Sequence, residues 1–298
     1  MIDITSNDFF NLEKLNNNSE YYAGGTIYLY RGLKGENYAL KKFHFTYPDS
    51  EYELESEEND NFFHTVDLLM KNKSIINIPE LVMPVDTFSI DTIPVGFISE
   101  VINGKRLDFI LNDFNTPSTI KKSYLKQVGN ILRKMKTARE NLNGDFFLGD
   151  MHEKNFIVED SSDLVRVVDL DSSKLLDNKP CQSKFLFLNK EIWNMPDKYP
   201  VYEENNDITM PSENTDLLCY HMMILNYIAN CEVYDLSTKE FYNYLEYLKK
   251  CGVGLNLLES FNRLYSNEDN TNPMNFIDEI PDDIGRVSYK VFEYLRKK

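Results

Sequence analysis

The pattern of apolar and polar positions changes character about a third of the way along the chain. Between residues 20 and 46 it reads as strand. Thr26 to Arg31 is β-rich and alternating, Gly32 to Asn37 holds turn formers, and Tyr38 to Phe43 starts a second strand. An acidic stretch, 47–61, follows. Apolar residues at 62, 63, 66, 69 and 70 then fall at helical spacing and predict a helix over Phe62 to Asn72. Pro79 to Phe88 and Pro94 to Ile102 read as a hairpin of strands.

Gly104 marks a break, and beyond it the pattern turns helical. Ser118 is placed to N-cap a helix running to Glu140, with Leu125, Val128, Ile131, Leu132 and Met135 on one face. Two short β-like pieces, Phe156 to Val158 and Leu164 to Val168, flank a turn at Asp160 to Asp163. The stretch 170–213 has no regular period. Helices are predicted at about 214–230, 238–250, 255–266 and 285–297. Strands gathered ahead of helices predict an α+β fold of two lobes, 1–102 and 103–298, with the boundary near 102–106.

Composition narrows the class. A chain of 298 residues suits two lobes sharing a cleft. Hydrophobic residues at 42% and aromatics at 13% are enough for a buried core. Lys and Arg total 32 against 48 Asp and Glu, a formal charge of −16. Such a charge repels nucleic acid and anionic membranes, so neither is expected as a partner. A nucleotide bound by so acidic a protein needs a local basic cleft or a metal that screens its phosphates. The four cysteines (Cys181, Cys219, Cys231 and Cys251) form no CxxC pair, and they read as buried free thiols in a reducing compartment. The opening residues lack a basic segment followed by an apolar run, and no stretch has the apolar length of a membrane span. A cytoplasmic protein is expected.

The segment Phe147 to Val158 carries the chemistry. It sets Asp150 and Asn155 five positions apart, ahead of an apolar run, and Val168-Asp169-Leu170-Asp171 follows across the expected hairpin. This order resembles the catalytic loop and metal motif of the protein-kinase-like superfamily. The resemblance implies that Asp150 orients the attacking hydroxyl and that Asn155 and Asp169 hold magnesium against the phosphates of ATP. Leu170 and Asp171 stand where that family's motif has Phe and Gly. Downstream, Asn214 to Ile228 resembles the family's central helix. Asp216 is implied to hydrogen-bond back to the catalytic-loop backbone.

At the front, Ala23 to Tyr28 resembles the end of a phosphate loop. Gly24 and Gly25 are implied to contact the nucleotide and Ile27 to cover adenine. Ala39-Leu40-Lys41 matches the strand lysine, so Lys41 is implied to meet the α and β phosphates, with Ala39 beside the base. Lys42 points to the opposite face of the strand. The acidic helix partner of Lys41 is open among Glu57, Glu58 and Asp67, with Glu58 favoured. Gly96 to Gly104 resembles the strand and hinge that receive adenine. There Glu100 and Ile102 would offer backbone groups, Ser99 a small gatekeeper, and Asp108 a contact to the ribose. Leu148-Gly149 replaces the family's His-Arg, which argues against a phosphorylated segment docked on that Arg. Asp150 with His152 is similar to the loop of aminoglycoside and choline kinases. Glu203 or Glu204 would close the activation segment.

These implications point to a magnesium- and ATP-dependent phosphotransferase, with a protein hydroxyl as the leading acceptor. A small-molecule kinase, a nucleotide-binding pseudokinase and an AMP transferase are the alternatives.

Overall fold

The computed structural model describes residues 1–15, 25–32, 35–43, 53–178, 213–229, 238–259, 277–281, 291, 293 and 294. Its first part is built on one six-stranded sheet. In chain order the elements are β1 (Ile2–Ile4), α1 (Ser6–Phe10), β2 (Glu13–Lys14), β3 (Gly25–Arg31), β4 (Asn37–Phe43), α2 (Glu53–Ile76), β5 (Pro84–Ile90) and β6 (Ile93–Glu100). The spatial order is β1-β5-β6-β4-β3-β2. Every pairing is antiparallel except β1 on β5. The predicted strands over 26–31 and 38–43 and the hairpin are present. β1 is an addition that no local pattern announced.

Strand alternation divides the sheet's side chains between two faces. Leu40, Phe88, Ile90 and Ile98 are buried with Ile4 and with Phe9 of α1. On the other face Phe43 and Phe97 are buried with Phe62 and Val66 of α2. The Phe43 ring centroid lies 5.1 Å from that of Phe62 and 5.9 Å from that of Phe97. Each buried Phe contributes roughly 1.5–3 kcal/mol of apolar transfer energy, so this cluster fixes α2 across the sheet. The helix runs well beyond the predicted 62–72. Its apolar spacing marks only the packed half. The added first half is rich in Glu, a good helix former, and propagates from the anchored turns.

The next strand pairs elsewhere. β7 (Gly104–Arg106) is followed by α3 (Leu107–Asn112), α4 (Ser118–Leu142), β8 (Phe146–Phe147), β9 (Phe156–Glu159), β10 (Val165–Val167), β11 (Lys174–Leu175), α5 (Glu213–Ala229) and α6 (Thr238–Lys250). β7 adds to the β9–β10 hairpin, so Gly104 opens a strand rather than only breaking the pattern. In α4 the five predicted core residues are all buried. Ser118 is its first helical residue, not its cap. Pro117 occupies the N-cap position, and its carbonyl accepts from the N–H groups of Ile120 and Lys121. A proline one residue earlier supplies an extended backbone that cannot continue the helix backwards.

One large core joins α3, α4, the β9–β10 hairpin, α5 and α6 with the end of α2 through Leu69 and Ile76. Helix and sheet are mixed, with the largest sheet ahead of most of the helices, which is compatible with the predicted α+β class. Of the remaining predicted helices, 255–259 is helical and the rest of 255–266 lies outside the described residues, as does 179–212. Among the described residues no helix is long and apolar enough to cross a membrane.

Candidate active site

The β9–β10 hairpin brings the two ends of the motif together. Phe156 pairs with Val167, and one position outward the Val168 N–H donates to the Asn155 carbonyl at 2.9 Å. Asn155 therefore stands beside the strand end that leads into Asp169. The segment after α2 braces this end, because Val82 N–H donates to Val167 O and Val167 N–H to Glu80 O. Asp169 has φ 67° and ψ 52°. A left-handed conformation costs a residue with a Cβ about 1–2 kcal/mol and persists only where its surroundings over-determine it. Here it turns the chain so that Asp169 and Asp171, the latter within a single 3-10 turn over Leu170–Ser172, both reach one ammonium.

That ammonium belongs to Lys41. Cross-strand register puts Ile27, Lys41 and Phe97 side by side on the sheet face toward α2. Lys41 is buried, whereas Lys42 is half-buried on the opposite face. Lys41 Nζ donates to Asp169 Oδ1 and to both oxygens of Asp171, at 2.8 and 2.9 Å. Burial alone would pull the lysine down. The charges of Asp169 and Asp171 more than reverse this and hold it above the ordinary lysine range. One cation between two carboxylates leaves an excess of negative charge. The more deeply buried acid gives up that charge more readily: burial, opposed by Lys41 and reinforced by Asp169, pushes Asp171 up to about 7.

Asp150 sits in the loop between β8 and β9. Its carboxylate is 3.4 Å from His152 Nε2, and Asn155 Nδ2 donates to its backbone oxygen at 2.8 Å and to Oδ2 at 3.2 Å. The Lys154 N–H donates to His152 Nδ1 at 3.3 Å, so a neutral ring carries its proton on Nε2, facing Asp150. Burial raises Asp150, but the hydrogen bond and charge of His152, with Asn155 and Lys41 behind them, bring it below the usual carboxylate range. The same pair lifts His152 against its own burial, and Asp169 adds to that lift. Asp150, His152, Lys41 and Asp169 thus feel one another's charge and form one cluster.

The loop is held from behind by α5. Asp216 Oδ2 accepts from Leu148 N–H at 2.8 Å and Oδ1 from Gly149 N–H at 3.2 Å, where the resemblance placed it. Burial outweighs these two donors and pushes Asp216 up to about 6. Gly149 has φ 76°, a conformation that a side chain would strain, and so turns the backbone toward Asp216 immediately before Asp150.

The other expected residues divide. Gly25 opens β3, where a Cβ would lie 2.5 Å from the Lys42 carbonyl. It is the close pairing with β4 that demands glycine here. Ile27 and Ala39 lie on the face that carries Lys41. Glu100 ends β6 opposite Tyr38, and its side chain takes Arg166 at 3.0 Å. Ile102 follows in the link to β7. Both oxygens of Asp108 are engaged by Arg106, at 2.9 and 2.6 Å, so a ribose would have to compete for them. Asp67 is corrected as a partner of Lys41: it pairs with Lys71 one helical turn on and is half-exposed. Glu57 and Glu58 lie in α2, with side chains outside the described residues, as are Gly24, Glu203 and Glu204. Cys219 and Cys251 are free and half-buried.

The residue that sequence reasoning missed is Asp171. It stands where the resemblance expects a glycine, yet it is the best-buried acid of the cluster. The signal was present in Val167 to Asp171, where a second acid lies in an apolar run and so requires a cation.

The donors suit a hard divalent cation. Asp169 offers a carboxylate. Asn155 turns its amide nitrogen to Asp150, which leaves its oxygen end for a ligand. Among the described residues no three His, Cys, Asp or Glu side chains converge on a metal position. A cation between Asn155 and Asp169 would complete its shell from phosphate oxygens and water, as magnesium does. No protein-family model matches the chain, and no curated protein matches its sequence.

Proposed function

We propose that the chain is a magnesium- and ATP-dependent phosphotransferase with a bilobal protein-kinase-like fold, its first lobe ending near residue 102, and that a Ser or Thr hydroxyl of a protein is its acceptor. The observation that carries this reading is the single cluster in which Lys41, from the sheet, meets Asp169 while Asn155 orients Asp150. Three roles follow from three environments. Lys41 is a fixed cation for the α and β phosphates. Asn155 and Asp169 hold magnesium, which supplies charge neutralisation on the phosphates when bound. Asp150, partly exposed and ionised, accepts the hydrogen bond and then the proton of the incoming hydroxyl. Gly25, Ile27 and Ala39 line the sheet face that would cover the base, with Glu100 and Ile102 at the strand end beside it.

The Asp150–His152 contact favours a second reading, a small-molecule kinase. Its loop is similar to that of aminoglycoside and choline kinases, and a ring beside the acceptor carboxylate narrows the space for a peptide. Intact mass before and after incubation with magnesium and ATP tests the first reading, with Asp150→Ala as control. A gain of one phosphate, lost in the variant, is expected. A gain of AMP would replace phosphoryl transfer with adenylyl transfer. No gain, with ATP turned over in the presence of small alcohols, would select the second reading. No gain and no turnover, with magnesium-ATP still bound, would leave a pseudokinase.

A further inference from the structure

We infer that Asp171 is the positioning residue of Lys41, and that α2 supports the lysine through Thr65 and the chain after Asp171. In part the inference rests on the nucleotide reading above, but the pairing itself does not. An ammonium has three N–H donors. Asp169 takes one, and the two oxygens of Asp171 face the others at 2.8 and 2.9 Å. Among the described residues, Asp169 and Asp171 are the carboxylates that meet these donors.

The two aspartates differ in access. The Asp169 side chain is 26% exposed and that of Asp171 is 0% exposed. A cation or a phosphate can therefore reach Asp169, but Asp171 is sealed behind it. Were Asp169 to give up its lysine contact to a metal, Asp171 would still hold Lys41, and the released N–H would face the phosphates. The division of labour is between a carboxylate that changes partner and one that does not.

Asp171 is itself held by backbone and by α2. Ser173 N–H donates to Leu170 O at 3.0 Å, closing the turn that carries Asp171. Asn178 then clamps the following strand. It accepts from Leu175 N–H at 2.8 Å and donates to Ser173 O at 2.9 Å and to Thr65 Oγ1 in α2 at 2.7 Å. The Thr65 hydroxyl in turn donates to Asn61 O at 2.9 Å. All of Thr65, Ser173 and Asn178 are buried. In a buried polar chain of this kind each partner fixes the next, because an unmade bond there costs more than a made one contributes. The helix thus reaches the lysine by neutral hydrogen bonds. The charge that meets Lys41 comes from the same strand end as the metal-facing Asp169.

The test reads Lys41 directly. The folded protein is acetylated under limiting reagent, and the rate at each lysine is measured by mass spectrometry. Removing one of two carboxylates that hold a buried amine should raise the Lys41 rate in Asp171→Asn by at least about tenfold. Glu58→Gln and Glu57→Gln should leave it within about twofold. An unchanged rate in Asp171→Asn, or an equal rise in either glutamine variant, overturns the inference. Magnesium-ATP binding is measured on the same samples, with a Kd expected to rise about tenfold in Asp171→Asn. If the unaltered protein binds no magnesium-ATP while the acetylation pattern is as expected, the ATP reading falls and the pairing stands. Should Asp171→Asn fail to fold, Lys41→Met/Asp171→Asn is expected to recover the fold, since it removes the poorly paired ammonium. A double variant that stays unfolded also overturns the inference.

Discussion

Asp150 and Asp171 both feel the charge of Lys41, yet their surroundings drive them in opposite directions. Asp150 has a side chain 43% exposed and draws on His152 and Asn155, so it stays ionised below the usual range. Asp171 has closer contact with the lysine but no exposed surface, and it is pushed up to about 7. Proximity to a cation does not decide a carboxylate's state. What decides it is the balance of burial against the donors that reach it. The exposed acid is left to meet a substrate, and the sealed acid is left to hold a neighbour.

The strongest way to break this contrast is to remove the shared cation. Lys41→Met strands Asp171 in the core, and breaking one side of a buried pair costs about 3–5 kcal/mol. The sign with pH is fixed by the raised value. A carboxyl raised in the fold contributes stability that is fully present below its ordinary 3.8 and is lost as pH rises through about 7. Without Lys41 that upper limit moves higher. Urea unfolding from pH 5 to pH 9 should therefore show the Lys41→Met deficit growing with pH, and a deficit that shrinks would reverse the assignment of charge.

The next effect lies behind Asp150. Asp216→Ala leaves the N–H groups of Leu148 and Gly149 without their acceptor, at about 1–3 kcal/mol each. Asp216→Asn keeps one acceptor and should lose about half as much. Equal losses in the two variants would mean that the hydrogen bonds are not what the side chain provides. Smaller still, Gly149→Ala forces a Cβ into φ 76° and should cost about 1–2 kcal/mol in the same measurement. The least effect on stability belongs to Asp150→Ala, within about 0.5 kcal/mol as for other accessible sites. It should nevertheless lower any turnover by about 10²–10⁴-fold while sparing nucleotide binding. A stability loss as large as that of Lys41→Met would erase the contrast between the two acids.

Much of this was legible from local pattern, and the rest was not for identifiable reasons. Alternation in Thr26–Arg31 and Tyr38–Phe43 revealed the strands and put Lys41 and Lys42 on opposite faces. The spacing of Asp150, Asn155 and Asp169 revealed a loop, a hairpin and a turn in the right order. β1 was not legible, because a three-residue strand owes its existence to a parallel partner more than eighty positions away. The Arg106–Asp108 pair, two residues apart, was equally outside the motif's view. Asp171 was judged by the residue it replaced and not by the apolar company it keeps. In each case the missing information was a partner distant in sequence, or one close by that a motif template ignores.

The Lys41–Asp171 pair joins positions 130 apart. During synthesis at about 5–20 residues per second, the lysine emerges roughly 6–26 seconds before its tether. A chain made only as far as β6 lacks both Asp169 and Asp171, so the buried place of Lys41 is completed from the second half of the molecule. The sheet and the strand end that receives its lysine are in this sense one folding unit, although the sequence keeps them far apart.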